Sequence, residues 1–146
     1  MSAEAFSRPL HIRWADIDAN FHLRHSAYYD FAAQMRMEVL AAHGLDMATM
    51  NKAAIGPILF REEAIFKREI RHGDTITIDV QLVRMRRDRS RWSFRHHLVR
   101  PDGTLCAIMN VDGAWIDMKG RKLTVPPPVA DALMDSLPRS ADFVWE

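Results

Sequence analysis

Residues 14–28 read Trp-Ala-Asp-Ile-Asp-Ala-Asn-Phe-His-Leu-Arg-His-Ser-Ala-Tyr, so two carboxylates, Asp16 and Asp18, and two imidazoles, His22 and His25, share one short stretch of little apolar content. Directly after it begins a long apolar periodicity that reads as a helix. Backbone amides in a helix's first turn lack intrahelical acceptors and carry partial positive charge, so they can donate to a carbonyl oxygen that is becoming anionic. A carboxylate placed across the same carbonyl carbon supplies attack, directly or through a water. These two parts suffice for acyl transfer or for hydrolysis of an activated ester. Asp16 and Asp18 are both candidates for this carboxylate, and either needs apolar neighbours that shield it partly from water. The plainer reading is that such an Asp caps its own turn and that a His beside a helix start is a surface residue. Asp18, His22 and His25 are also metal-ligand types, but their loop spacing gives no shared helical face and no further ligand stands out, so no metal is expected.

Surrounding elements must position these groups. Leu10, Ile12 and Trp14 alternate with His11 and Arg13, which predicts a half-buried strand from about 9 to 16. From Ser26 onward, Tyr28, Phe31, Ala32, Met35, Val39 and Ala42 recur at three- and four-residue steps, an apolar stripe along a helix with Ser26 as N-cap and Gly44 as C-cap. The pattern then turns to strands. One covers 58–70, one 76–82, one contains Trp92, Phe94, His96 and Leu98, and one covers 104–117 with a bulge at Gly113. His72-Gly73-Asp74 and Pro101-Asp102-Gly103 read as turns, and Pro126, Pro127 and Pro128 break the chain before a short helix near 129–136. A strand, a long helix and four successive strands predict an α+β fold, in which a five-stranded antiparallel sheet is covered by the one long helix. No repeat or linker divides the chain, so 1–146 is expected to form a single domain.

The chain has 146 residues and 48% hydrophobic side chains, enough for one core without a metal or disulfide staple. The single Cys106 excludes an internal disulfide and clustered thiolate sites. No apolar run approaches the roughly 18 residues of a membrane helix. The first residues carry Glu4 and lack a basic stretch leading into an apolar run, so no secretory signal is expected and a cytoplasmic location is. Twenty Lys and Arg against nineteen Asp and Glu give a net charge of +1, without the basic excess of a nucleic-acid binder. The expected partner is a small molecule, neither nucleic acid nor membrane.

The sequence Asp-x-Asp, then His, then Tyr just inside a long helix resembles the hotdog-fold thioesterases of the 4-hydroxybenzoyl-CoA thioesterase type. The likeness extends over most of the chain. Arg36 falls where that family often has an Arg, Arg71-His72-Gly73-Asp74 resembles its Pro-x-x-Gly-Asp turn, and the strand order is the hotdog order. The resemblance implies a sheet wrapped around one long central helix, and hydrolysis of an acyl-CoA or acyl-carrier-protein thioester without a cofactor. It puts the catalytic aspartate on Asp18 and the carbonyl-polarising amide on His25, while His22 matches the histidine of the Gly-His-Val-Asn-Asn version found in a neighbouring branch. It also implies a homodimer or dimer of dimers with sites at the interface. A hotdog protein that binds a thioester without turnover is the alternative; a hotdog dehydratase is disfavoured because no His-x-x-x-x-Pro-Gly motif is present.

The basic run Arg84–Arg91 reads as a solvated hairpin tip or as a holder of coenzyme A phosphates, with Arg86, Arg87 and Arg89 as the candidate contacts. His96 and His97 point to opposite strand faces and are read as structural. One of Glu62 and Glu63 faces the helix side of the sheet, where a buried carboxylate would be a second acid/base candidate. Met35, Met37, Met47 and Met50 either line a flexible acyl pocket or fill the core.

Overall fold

Side-chain chemistry overrides alternation in the first expected strand. The computed structural model describes residues 6–146, so Glu4 lies outside the described residues. Strand β1 is only Ser7–Pro9, and Trp14–Asp16 form a 3-10 turn instead of extended chain. Asp16 is the cause: its carboxylate accepts the Arg13 backbone N–H at 2.9 Å and the Arg13 guanidinium at 2.8 and 3.2 Å, which folds the chain back on itself.

Helix α1 runs His25–Ala42, two residues ahead of the start expected with Ser26 as N-cap. Arg24 holds the N-cap position without a side-chain cap, and Ser26 accepts from the Arg24 guanidinium instead of capping the helix. The far end closes at Gly44 as expected; its φ of +89° is a conformation that glycine adopts at little cost. Of the apolar stripe, Tyr28, Ala32, Met35 and Val39 are buried, Phe31 is half-buried and Ala42 is exposed. Full burial of a Met or Val side chain contributes roughly 1.5–3 kcal/mol, so packing on the sheet holds α1 in place. Helix α2, Met47–Ala53, is too short to show a period. Its local signals are the Asp46 carboxylate accepting the Thr49 N–H at 2.8 Å and Ala54 in the left-handed region at φ +53°.

Seven further strands follow: β2 Ile55–Phe66, β3 Thr77–Asp79, β4 Gln81–Met85, β5 Arg91–Val99, β6 Leu105–Asp117, β7 Lys122–Leu123 and β8 Arg139–Trp145, the last after helix α3, Pro128–Ser136. Among the described residues the sheet therefore has eight strand segments where five strands were expected. Its lanes run β2, β6, β5, then β3 with β4, and finally β1 with β8. The strand expected over 76–82 divides at Val80 because it serves two neighbours. Val80 donates its N–H to Phe6 O at 3.1 Å and Leu82 donates to Pro138 O at 2.8 Å. Strand β8 lies parallel to β4, the one parallel pair among the described residues of an otherwise antiparallel sheet.

The bulge of the β2–β6 pair falls on Phe60 and not on Gly113: Leu59 faces Gly113 and Arg61 faces Asp112. Gly113 is required for another reason, since a Cβ there would lie 2.3 Å from the Trp92 ring and 2.4 Å from the Ile58 carbonyl oxygen. The curled sheet and α3 enclose α1 in the hotdog layout, with Met35, Leu98, Trp115 and Met134 fully buried between them. At its far edge β2 pairs only with β6 and leaves Leu59, Phe60, Ile65 and Phe66 exposed.

Candidate active site

The loop between the 3-10 turn and α1 is a small closed structure. Asp18 donates its N–H to His22 O at 2.8 Å, Ile17 pairs with Leu23, and His22 pairs with Arg71. Phe21 stands at φ +65°, an uncommon conformation for a bulky residue, and its ring is exposed. Asp18 Oδ1 accepts the N–H of Asn20 at 2.9 Å and of His22 at 3.2 Å, so the turn-capping role is present. Oδ2 makes no protein hydrogen bond among the described residues. The expected turn at 71–74 forms and anchors the loop, with Asp74 Oδ2 accepting the Arg71 N–H at 2.8 Å and Gly73 at φ +93°.

His25 is the first residue of α1, so its amide and that of Ser26 have no intrahelical acceptor. Asp18, His22 and His25 line one open cleft of about 310 Å³ together with Tyr28, Phe66, Lys67, Arg68 and Glu69. Sequence reasoning brought the first three together and missed the rest as site residues. In the sequence Tyr28 belongs only to the motif and the apolar stripe; in the structure it packs edge-on against Phe66, and burial pushes its phenol up to about 12, which keeps the hydroxyl protonated and able to donate at neutral pH. Glu69 adds a second, exposed carboxylate, which a backbone N–H holds below the usual range. The charged triplet Lys67-Arg68-Glu69 directly after an apolar strand was the available signal.

Asp16 is buried away from this cleft, and the Arg13 guanidinium holds its carboxyl below the ordinary value. It organises the loop. Arg86, Arg87 and Arg89 lie at the β4–β5 turn, outside the cleft lining. Arg89 grips Asp135 of α3 at 2.8 and 3.0 Å, Arg86 reaches Ser90 Oγ at 3.4 Å, and the Arg87 guanidinium sits 5.2 Å from the Trp145 ring centroid.

Glu63 is tied by Arg61 and Asn110, and Glu62 is exposed. His96 is fully buried, and desolvation pushes its imidazole down to about 3. Its Nδ1–H donates to Asp79 O at 2.7 Å, which leaves Nε2 to accept from Arg36 at 3.0 Å. His97, on the opposite face, bonds the Asp79 carboxylate at 3.1 Å. Among the described residues no group of three or more His, Cys, Asp or Glu is arranged to hold a metal ion.

Residues 12–133 match the family model described as the thioesterase-like superfamily. No curated protein matches the chain. Solved structures share the fold at low identity. A hypothetical protein from Staphylococcus aureus in complex with CoA is 19% identical with a TM-score of 0.85, over 97% of this chain and 89% of that one. A 1,4-dihydroxy-2-naphthoyl-CoA thioesterase from Synechocystis is 13% identical with a TM-score of 0.80, over 90% and 96%. A probable thioesterase from Escherichia coli is 16% identical with a TM-score of 0.75, over 92% and 99%.

Proposed function

The chain belongs to the thioesterase-like superfamily, and on that premise we propose that it hydrolyses an acyl-CoA thioester in the cleft of Asp18. The observation that carries the reading is that the Asp18 carboxylate and the first turn of α1 border the same cleft. The thioester oxygen sits against the amide at His25, which stabilises the charge that develops there. Asp18 either attacks the carbonyl carbon itself, expelling the thiolate and leaving an acyl-aspartyl anhydride that water then hydrolyses to the free acid and Asp18, or takes a proton from the water that attacks. In the second case a C–O bond forms, the C–S bond breaks, and the proton held by Asp18 leaves with the thiolate. A thiolate is a good leaving group, so no strong general acid is needed. His22 and Tyr28 border the reacting carbonyl as polar neighbours, and no cofactor enters the scheme.

CoA in place of a carrier protein is supported by the neighbour solved with CoA and by Lys67 and Arg68 in the cleft, placed to meet phosphates. Arg86 and Arg87 are more distant cations for the same ligand. The exposed apolar residues of β2 support a homodimer joined through that edge, with a dimer of dimers as the larger assembly. Among the described residues no helix is long and apolar enough to cross a membrane. A second reading, thioester binding without turnover, draws on the two amides that Asp18 already caps.

The test is free-thiol release from a panel of short, long, branched and aromatic acyl-CoAs, with wild type and Asp18→Asn side by side. Asn keeps an acceptor for the two amides and removes the base, so turnover is expected to fall by about 100-fold or more. Retention within about threefold of wild type would rule out the role given to Asp18. Tight CoA-ester binding with no thiol release would favour the second reading.

A further inference from the structure

A second cavity, of about 210 Å³, lies between α1, β5, β6 and α3, with the exposed Leu59 of β2 at its rim. Its walls are apolar, among them Leu40, Phe94, Trp115 and Leu133, and Arg36 is the one charged residue in its lining. Arg36 is half-buried, and its one protein hydrogen bond among the described residues goes to His96 Nε2, an acceptor without charge. Glu62 is the carboxylate whose field reaches it, but Glu62 is exposed to water and forms no ion pair with it. Trp92 and Trp115 contribute ring surface to the same wall, while their indole N–H groups are enclosed by protein and do not face it. The cavity is thus apolar, with a single cation in its wall. A half-buried cation against an apolar wall and without a counter-anion is unfavourable, and a carboxylate offering a charge-assisted bond to the guanidinium lowers that cost.

We propose that this cavity is a receptor for an apolar carboxylate, with the carboxylate on Arg36 and the hydrocarbon body against Trp92, Phe94 and Trp115. Size agrees, because a cavity of about 150 Å³ admits benzene, so the volume here accommodates one ring or a medium alkyl chain with its carboxylate. Such a group has two sources, a free acid or the far end of an ω-carboxyacyl thioester; the second rests on the thioesterase reading. Arg36 lies eleven residues beyond His25 on α1, about 16 Å along the helix axis, too far for a compact acyl group held at Asp18 of the same protomer. Two-fold antiparallel pairing of β2 with its copy would lay Phe66, at the Asp18 cleft, beside the Ile55 end of the partner strand. On that pairing an acyl group bound at one Asp18 would extend toward the other protomer's copy of this cavity, which Pro57 and Leu59 of β2 line.

Octanoate and octanamide, titrated calorimetrically into the wild-type protein, test the receptor without any need for turnover. Octanoate is expected to bind saturably and about tenfold or more tightly than the neutral amide, the size of one charge-assisted bond. Arg36→Met is expected to abolish that difference, and Asp18→Asn to retain it. Equal affinity for the two probes in wild type, or no saturable octanoate binding, overturns the proposal whether or not the variants fold. The source is read from turnover of adipyl-CoA against hexanoyl-CoA. A preference for adipyl-CoA that Arg36→Met removes assigns the cavity to the acyl group, whereas octanoate binding without such a preference assigns it to a free acid. Absence of all thioester turnover with octanoate binding intact would count against the thioesterase reading and leave the receptor standing.

Discussion

The ring of Phe66 meets the ring of Tyr28 edge-on with centroids 4.9 Å apart, joining the last residue of β2 to the first turn of α1. This contact sets Lys67 and Arg68, the next two residues, at the wall of the Asp18 cleft. If they hold CoA phosphates, replacing both with Ala should raise KM for acyl-CoA by about tenfold, worth ~1.4 kcal/mol, with a smaller change in kcat. Steady-state kinetics at two ionic strengths check this, because the wild-type advantage should shrink as salt screens the exposed cations. An unchanged KM at low salt would remove these residues from substrate binding.

The free edge of β2 carries Phe60 and Ile65, which are 54% and 36% exposed. Charged side chains at these positions oppose edge pairing. The double change Phe60→Lys and Ile65→Lys should shift the mass measured by light scattering from dimer to monomer. A monomeric wild type at micromolar concentration would contradict the proposed assembly.

His96 makes stability fall in acid. Burial depresses its folded-state value to about 3 against an ordinary 6.5, so the unfolded chain binds a proton that the folded chain refuses. The contribution is fully present above about 6.5 and is lost as pH falls from there toward 3, at up to about 1.4 kcal/mol per pH unit. Urea unfolding at pH 7 and pH 5 should show a loss of stability that is smaller in His96→Gln. The same loss in both proteins would mean that other groups govern acid unfolding.

Gly113→Ala should be destabilising although alanine is small. The new methyl would meet the Ile58 carbonyl oxygen at 2.4 Å, a backbone atom that cannot swing aside, as well as the Trp92 ring. A loss of about 1–3 kcal/mol or more is expected in chemical denaturation. A midpoint equal to wild type would show that β2 and β6 can part locally.

Long-range order in the sequence was readable where a period runs over many residues or a local motif is self-contained. The stripe through Tyr28, Ala32, Met35 and Val39, the left-handed Gly44, the 71–74 turn and the alternation along β5 and β6 all act through neighbours in the chain. Helix α2 escaped because its seven residues make fewer than two turns, and strand β8 because Arg139–Trp145 does not alternate apolar with polar residues. The break at Val80 escaped because its partners, Phe6 and Pro138, are remote in sequence.

The sequence by itself determined that Asp18, His22 and the amide at His25 sit together, since one short loop joins them to the start of α1 and no distant contact is needed to keep them close. Tertiary structure alone decided what faces them. Lys67, Arg68 and Glu69 reach the cleft through the end of β2, and Arg36 meets His96 across sixty residues of chain. Such meetings depend on strand register and on the curl of the sheet over α1, which arise from the packing of the whole core and leave no mark on the residues adjacent in sequence.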